Sequence, residues 1–301
     1  MRVLVIGLGD IAHKAYLPVL ATTPQLELHL TTRDQDVLRS AGSTFRADHL
    51  HASVPEALAS ESFDAAFVHA ATSAHPALVR TLLERRIPTF VDKPLADSFE
   101  QVERLVAFAK RQETLLAVGF SRRFAPDYAA LRGESASLIL MEKHRYRQLD
   151  APRRVVFDDF IHVIDTLLFL IPAPVKRRII ETIVEDGMLK GITLMLAGDG
   201  YTATGVMHRD SGLDEERLSV IGAGVRHSVL NMSQRIRSAR VECRERRGDW
   251  TSVARQRGFE AMCADFLVAV RERRATRAAD ILATHKLCEE VASQCESSTR
   301  N

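Results

Sequence analysis

The sequence lacks an excess of charge of either sign, and it lacks long hydrophobic runs. Of its 301 residues, 41 are Lys or Arg and 39 are Asp or Glu, so the formal net charge is only +2. Surfaces that bind nucleic acid usually carry a clear basic excess, and we therefore expect no nucleic-acid partner. No apolar run approaches the roughly 20 residues that a membrane-spanning helix requires, so we expect no membrane association.

Cysteine pairs at metal-binding or redox spacing are missing as well. The four cysteines are Cys243, Cys263, Cys288 and Cys295, and none of them forms a C-x-x-C pair. We therefore expect neither a disulfide framework nor a metal site. The opening residues MRVLVIGLG contain too few apolar residues before the first glycine for a secretion signal, and they read as a strand. These features predict a cytoplasmic protein with reduced thiols.

Short apolar runs alternate with helix-like stretches through the first 118 residues. The expected strands are RVLVIG, LELHLT, DAAFVHA, PTFVD and TLLAVGF. This rhythm predicts a doubly wound parallel sheet with helices on both faces, an α/β domain.

The pattern changes after Gly119. A helix around residues 158–170 is followed by strand-like runs joined by the turn sequences EDGM and AGDGY, and two helical stretches follow around 257–274 and 279–295. We therefore expect a second, α+β domain with a mostly antiparallel open sheet and flanking helices. The expected domains are residues 1–120 and 121–301.

The segment VIGLGDIA places Gly7, Gly9 and Ala12 in a G-x-G-x-x-A pattern directly after the first strand. In a dinucleotide site the first glycine makes the tight turn, and the second lets the backbone approach the pyrophosphate. The third small residue lets the helix and the strand pack closely. The start of the helix then offers free N–H groups to phosphates. The first domain is thus predicted to bind a dinucleotide.

The end of the second strand predicts which dinucleotide is bound. Folds that bind NAD usually place an acidic residue there, about 20 residues past the glycine loop, to accept from the ribose 2′-hydroxyl. Here Thr32 takes that position and Arg33 follows it. Both can donate to a 2′-phosphate, so we expect NADP, with NAD less favoured. The alternative is that Arg33 faces solvent and Asp34 binds the ribose.

A lysine follows the fifth apolar strand, in the sequence FVDKPLA. Ligands of parallel sheets bind beyond the carboxyl ends of the strands, so Lys93 is expected near the cofactor. Pro94 keeps Lys93 out of helical geometry.

The stretch DDFIHVIDTLLFL carries Asp158, His162 and Asp165 at spacings of four and three, which places them on one helix face. The pattern by itself allows a helix cap with a structural histidine, or an acid–base pair facing a substrate. A metal site of these three residues is disfavoured, because one helical stripe rarely encircles an ion.

Taken together, these motifs resemble the glucose–fructose oxidoreductase / inositol dehydrogenase / rhizopine-catabolism (Gfo/Idh/MocA) oxidoreductases, a family with an N-terminal Rossmann domain. The chain is most similar to the branch of bacterial proteins called virulence-factor MviM type. The matching segments run in family order: GLGDIAHKAYLP, VHAATSAHPAL, VDKPLA, VGFSRRFAP and DDFIHVID.

The resemblance implies roles for particular residues. Lys93 would contact the nicotinamide ribose and the reacting oxygen, His162 would be the general acid/base, and Asp158, rather than Asp159, would be its partner. The Lys93–Pro94 bond would be cis, as in relatives. The cofactor-binding residues would be Gly7, Gly9, Asp10, Ile11, Thr32, Arg33, Ala71, Thr72, His75, Asp92, Lys93 and Pro94.

The chain departs from the family pattern at two places. Asp92 replaces the usual glutamate before the lysine, and RRVVF replaces the glycines that commonly precede the D-x-x-x-H helix. The second departure concerns the shape of the substrate mouth.

The predicted function is an enzymatic one, hydride transfer between a nicotinamide and a carbinol or carbonyl carbon of a sugar, cyclitol or related polyhydroxy compound. Two alternatives are a reductase of another unsaturated ligand, similar to biliverdin reductase, and a dinucleotide-binding sensor without turnover. The expected substrate-binding residues are Lys93, Arg123, Lys143, Asp158 and His162.

A homodimer or homotetramer is also expected, because the runs SLILM and ITLML are apolar on both faces of the predicted second sheet. A partner subunit is the simplest cover for the second face.

Overall fold

The computed structural model describes residues 1–246 and 248–298. The chain forms two compact units. The first contains Met1–Phe120 and Phe259–Leu282, and the second contains the described residues of 121–258 and 283–298. The expected domains were residues 1–120 and 121–301. In the structure, residues 259–282 pack with the first unit.

The first unit is built on a six-stranded parallel sheet. Its strands are β1 (Arg2–Ile6), β2 (Glu27–Thr31), β3 (His49–His51), β4 (Ala65–Val68), β5 (Thr89–Val91) and β6 (Leu116–Val118). They lie in the order β3-β2-β1-β4-β5-β6, with the reversal between β1 and β4. Val3, Leu4 and Val5 are fully buried, as expected of a central parallel strand covered on both faces. The predicted doubly wound Rossmann sheet is confirmed.

Helices connect these strands. The chain turns helical at Asp10, passes through a π-helical stretch at Ala12–Tyr16 and continues as α1 (Leu17–Leu20). The next four helices are α2 (Gln35–Phe45), α3 (Val54–Ser60), α4 (His75–Glu84) and α5 (Phe99–Arg111). Asp34 and Ser53 begin α2 and α3 as N-caps, since their side chains accept from backbone N–H groups of the first turn.

The second unit is built on an eight-stranded sheet. Its strands are β7 (Leu138–His144), β8 (Arg177–Glu185), β9 (Met188–Gly198), β10 (Tyr201–His208), β11 (Glu215–Gly222), β12 (Val225–Leu230), β13 (Gln234–Ala239) and β14 (Val241–Arg246). The order is β14-β13-β12-β11-β7-β10-β9-β8. Only β7 and β10 pair in parallel among these neighbours. The predicted mostly antiparallel sheet is confirmed.

The remaining helices are α6 (Pro126–Ala129), α7 (Pro152–Val155), α8 (Ile161–Leu170), α9 (Val253–Gln256), α10 (Phe259–Arg271) and α11 (Ala278–Ser298). A π-helical turn at Val156–Phe160 joins α7 to α8. Helix α8 packs on the inner face of the second sheet, where a side chain at Gly205 would collide with Val163. Across residues 1–246 and 248–298, no helix is long and apolar enough to cross a bilayer.

Candidate functional site

The glycine loop has the geometry that a dinucleotide site requires. Gly7 has φ +86°, and a Cβ added there would lie 2.6 Å from the backbone nitrogen of Ala70, so only glycine fits. A Cβ at Gly9 would meet nothing within 4 Å. Ala12 is fully buried where the helix packs. The loop therefore leaves open space in front of Gly9, at the start of the helix, for a phosphate. Asp10 points to solvent and is ion-paired with Lys14 at 2.6 Å, and Ile11 is exposed.

At the carboxyl end of β2, Thr32 is half-buried and Arg33 is exposed. Asp34 is engaged in the backbone, because its Oδ1 accepts from the N–H groups of Asp36 and Val37 at 2.9 and 3.1 Å. The N-cap role ties this carboxylate to α2. The neighbouring Arg33 remains on the surface at the position where a ribose is bound in such folds.

The segment after β4 runs through Ala71 and the 3₁₀ turn Thr72–Ala74 into α4. His75, at the start of α4, is 1% exposed. Its Nδ1 lies 2.8 Å from the carbonyl oxygen of Pro94, and its Nε2 lies 2.9 Å from that of Ala70. His75 thus connects the segment after β4 to the Lys-Pro turn after β5.

Asp92, Lys93 and Pro94 directly follow β5, and the Lys93–Pro94 bond is cis, as the resemblance implied. The hydroxyl of Tyr16 donates to Asp92 Oδ1 at 2.6 Å. Burial raises the pKa of Asp92, and the charge of Lys93 and the Tyr16 hydrogen bond oppose that shift. A buried tyrosine thus fixes the Asp92 carboxylate in place. Lys93, the next residue, is half-buried.

Tyr16 and His69 are the residues of this region that the sequence analysis missed. The two rings stack with centroids 3.9 Å apart. His69 is 5% exposed, and neither of its ring nitrogens has a hydrogen-bond partner among the described residues. Burial, followed by the charge of His75, lowers the pKa of His69 to about 3, so its ring is neutral. The quoted segments HKAYLP and VHAATSAHP contain both residues, but nothing in their spacing showed the contact.

The second set of predicted residues lies on the helical segment 152–170. Asp158 lies in the π-helical turn and is 48% exposed, with Arg154 Nε at 3.8 Å. His162 lies one helical turn further on, in α8, and is half-buried. The four-residue spacing thus places the carboxylate and the imidazole on neighbouring turns, both reachable by solvent. π-Helical turns are frequent at functional sites.

Asp159, the neighbouring aspartate, is the centre of a buried ion network. Arg145 donates to it through two nitrogens at 2.7 and 2.9 Å, Arg209 Nη1 lies at 2.6 Å, and Lys143 Nζ lies at 3.3 Å. Burial by itself would raise the pKa of Asp159, but the Arg145 hydrogen bonds and the three positive charges outweigh it and hold the pKa well below its ordinary value. Asp159 is therefore a permanent carboxylate.

Glu216 extends the network across the inner face of the second sheet. It accepts from Arg122 at 2.9 and 2.6 Å, from Tyr128 at 2.9 Å and from Lys143 at 3.2 Å. Burial acts to raise its pKa, but the charges of Arg122 and Lys143 hold that pKa well below its ordinary value. Lys143 is 4% exposed and shared by two carboxylates. These pairings reduce the charge that it can offer to a substrate.

Arg123 is likewise ion-paired. It forms a bidentate contact with Asp165, with distances of 2.8 to 3.1 Å, and Asp165 also accepts from Thr284 at 3.0 Å. Asp165 is 2% exposed. The third aspartate of the helix stripe therefore faces the interior of the second unit, and it fixes Arg123 there.

Comparisons with known proteins agree with this geometry. The model of an oxidoreductase family with an NAD-binding Rossmann fold, Gfo/Idh/MocA, matches residues 1–120. A model described as the YceM-like C-terminal domain matches residues 126–240. The glycine loop with open space in front of Gly9 fits the dinucleotide that this description names. The fold and these motifs define a nicotinamide-dependent oxidoreductase.

Similar proteins cover most of the chain. "Putative oxidoreductase YceM" of Salmonella typhimurium is 32% identical over 289 residues, 91% of this chain and 90% of the relative. "Myo-inositol dehydrogenase Hyg17" of Streptomyces leeuwenhoekii is 32% identical over 239 residues, 74% of this chain and 70% of the relative. The solved structure of a dehydrogenase (MviM) from Clostridium difficile gives a TM-score of 0.91 at 27% identity, covering 97% of this chain and 99% of that one. The chain belongs to the Gfo/Idh/MocA family of oxidoreductases, and its similarity to the MviM branch is confirmed.

Proposed function

We propose that the protein transfers a hydride between a nicotinamide and a carbinol or carbonyl carbon of a sugar, cyclitol or related polyhydroxy compound. The observation that carries the proposal is the Asp92-Lys93-Pro94 turn at the carboxyl end of β5, in the same sheet as the open glycine loop. Ligands of such sheets bind at that edge. The similarity to a relative named myo-inositol dehydrogenase supports the substrate class.

The residues have complementary chemical roles. Nicotinamide, when bound, supplies the hydride chemistry. In the oxidising direction the C–H bond yields a hydride and the O–H bond yields a proton, so a C=O bond forms. His162 takes that proton, because an imidazole ordinarily titrates near neutral pH. Lys93 stabilises the negative charge that develops on the oxygen, and Asp158 orients the imidazole and stabilises its charged form.

Replacing each proposed group tests these roles. We expect Lys93→Met and His162→Ala each to lower turnover about 10²- to 10⁴-fold while dinucleotide binding is mostly kept. Lys110→Met, on the exposed face of α5, and His227→Ala, in β12, are matched controls that should retain the wild-type rate. The measurement is single-turnover absorbance of the nicotinamide with a panel of cyclitols, sugars and sugar acids. A near wild-type rate in His162→Ala would refute the assignment.

We further propose that the preferred dinucleotide is NADP. Arg33 is exposed at the end of β2, and Thr32 stands where an acidic residue would repel a 2′-phosphate. The Asp34 carboxylate is occupied as the N-cap of α2, which disfavours the alternative that it binds a ribose hydroxyl. Charge-assisted hydrogen bonds contribute about 1.5–3 kcal/mol, so a preference of roughly 10- to 100-fold is expected.

Parallel titrations of NADPH and NADH test this preference. Arg33→Ala should remove most of it. Asp34→Ala is the control: it should lower stability by about 1 kcal/mol through loss of the cap and leave the preference in place. Equal affinities in the wild type would refute the NADP proposal, and a preference that survives Arg33→Ala would refute the role of Arg33.

We also propose that the protein is a homo-oligomer that associates through the outer face of the second sheet. Leu140, Thr204, Met195 and Ile179 are opposite one another on consecutive strands. The first three are half-buried and Ile179 is 50% exposed. Three of these four side chains are apolar, and a second subunit would remove them from water. Light scattering of the wild type at micromolar concentration should give two or more times the chain mass of 33.6 kDa. Leu140→Glu should lower the measured mass toward that of one chain. A monomeric wild type would refute the proposal.

A further inference from the structure

Three histidines and a glutamate converge on the edge of the first sheet that strands β2 and β3 form. Strand β3 pairs with β2 so that His29 is opposite His49, and His51 is opposite Thr31. Glu27 begins β2, two residues before His29 and on the same face. The pairing of two short strands thus brings residues 49 and 51 beside residues 27 and 29, which lie 20 to 24 positions earlier in the chain.

The spacing of these side chains suits a transition metal. The Nε2 of His29 lies 3.0 Å from Glu27 Oε1, and the Nε2 of His49 lies 3.6 Å from the same oxygen. One ligand atom from each of the three residues falls within 4.8 Å of the others. A tetrahedral zinc ion with bonds of about 2.0–2.1 Å holds its ligand atoms roughly 3.3 Å apart. The two measured separations lie on either side of that value.

His51 can orient His29 as a metal ligand. Its Nε2 lies 3.0 Å from the Nδ1 of His29, and it is 8% exposed. When His51 accepts from the Nδ1–H of His29, the lone pair of His29 is on Nε2, the atom that faces Glu27. A second hydrogen-bonded partner of this kind fixes the tautomer and orientation of a ligating imidazole. His29 is therefore a buried ligand whose orientation is fixed, and Glu27 and His49 are exposed ligands that can adjust their positions.

The site is open to solvent on one side, because the side chains of His49 and Glu27 are 48% and 44% exposed. An ion can enter, and water can complete its coordination. One charge competes with it: Arg2 Nε lies 3.5 Å from Glu27 Oε1. Arg2 also pairs with Glu61 at 3.2 Å, so it keeps a partner if Glu27 turns toward a metal.

We infer that Glu27, His29 and His49 form a binding site for a divalent transition metal of the zinc class, which links β3 to the rest of the first sheet. Two imidazoles and one carboxylate suit Zn²⁺, Co²⁺ or Ni²⁺ better than Mg²⁺ or Ca²⁺, which prefer oxygen ligands. The inference concerns only the first unit and does not depend on the proposed reaction.

Metal titration of the full-length protein tests the site. The chelator-treated protein is titrated with ZnCl₂ in competition with a chromophoric chelator, and the ligand field is read from the absorption of bound Co²⁺. We expect one tight equivalent in the wild type. Loss of an outer partner of a ligand usually weakens binding about 10- to 100-fold, so His49→Gln and Glu27→Gln should each weaken it at least that much.

The controls separate this site from unspecific binding by histidines elsewhere in the chain. His227→Gln, in the second unit, should bind zinc as the wild type does. Circular dichroism should show that the two cluster variants remain folded, as expected for substitutions of half-exposed side chains. Wild-type zinc affinity in either cluster variant, or equal weakening in His227→Gln, would overturn the inference.

Discussion

Substitution of Tyr16 by Phe removes one buried oxygen, the hydroxyl that donates to Asp92 Oδ1 at 2.6 Å. Tyr16 is fully buried, and its ring contacts with His69, Phe90 and Phe259 are retained by a phenyl ring. A hydrogen bond to a charged acceptor contributes about 1.5–3 kcal/mol. We therefore expect Tyr16→Phe to lower the free energy of unfolding of the first unit by about that amount near pH 8.

The cost should decrease as the pH falls. Burial raises the pKa of Asp92. Because this folded-state pKa is above the unfolded value, the stability contributed by the protonated form is present at low pH and is lost as the pH rises through the folded pKa. Loss of the Tyr16 hydroxyl raises the pKa of Asp92 further, since that hydrogen bond favours the charged form. As the pH falls through the folded-state pKa of Asp92, the cost should approach the roughly 0.5–1.5 kcal/mol of a neutral hydrogen bond.

Tyr128→Phe is the matched control. Tyr128 is also fully buried and donates to a carboxylate, Glu216, at 2.9 Å. Its acceptor has a pKa held well below the ordinary value, so it stays ionised across the same pH range. The cost of Tyr128→Phe should therefore be independent of pH between about pH 8 and pH 5. The assay is urea denaturation followed by circular dichroism. A Tyr16→Phe cost below about 0.5 kcal/mol, or identical pH dependence in both variants, would refute the reasoning.

Two glycines give further predictions. At Gly119 an added Cβ would lie 2.8 Å from the Tyr16 hydroxyl and 3.1 Å from Asp92 Oδ1. Gly119→Ala should therefore lower the free energy of unfolding by about 1–3 kcal/mol in urea denaturation. An unchanged midpoint would mean that the Tyr16 and Asp92 side chains can move away from the new methyl group. Gly7→Ala should cost at least about 1–2 kcal/mol, because φ is +86° and the Cβ overlaps the backbone of Ala70. Gly9→Ala, into open space, should keep stability and weaken NADPH binding in a fluorescence titration; equal affinity would argue against phosphate binding there.

The sequence allowed most of the fold to be predicted, because regular burial leaves a regular pattern. Apolar runs such as those of β1 and β4 lie in the middle of the first sheet and are buried on both faces. Strand β3 was not predicted, since its sequence His-Leu-His has no apolar run. Strands β13 and β14 were also missed. They are rich in Arg and Glu and largely exposed, and pairing with a neighbouring strand, rather than burial, defines them.

Candidate site residues could be proposed from the sequence where a motif is local, but contacts that span the chain could not. The positions of Gly7, Lys93 and His162 follow from short patterns next to strands or on a helix. The Tyr16–Asp92 bond joins residues 76 apart, and the Arg122–Glu216 pair joins residues 94 apart. Such pairs leave no spacing signal in one sequence. The three histidines of the sheet edge came together only through β3, which was itself not predicted.

Asp158 and Asp159 are adjacent and chemically identical, but Asp158 is exposed and Asp159 lies in a buried ion network. Removing one partner of a buried ion pair costs about 3–5 kcal/mol. Asp159→Asn leaves Arg145, Arg209 and Lys143 without their shared carboxylate. We therefore expect it to lower the free energy of unfolding of the second unit by about 3–5 kcal/mol. Asp158 is 48% exposed, and a surface ion pair contributes only about 0–1 kcal/mol. Asp158→Asn should therefore unfold at the wild-type urea concentration, and on the proposed mechanism it should lower turnover, because the His162 imidazole loses its proposed orienting carboxylate. Full activity with lost stability in Asp158→Asn would show that Asp158 serves the fold and that His162 acts without it.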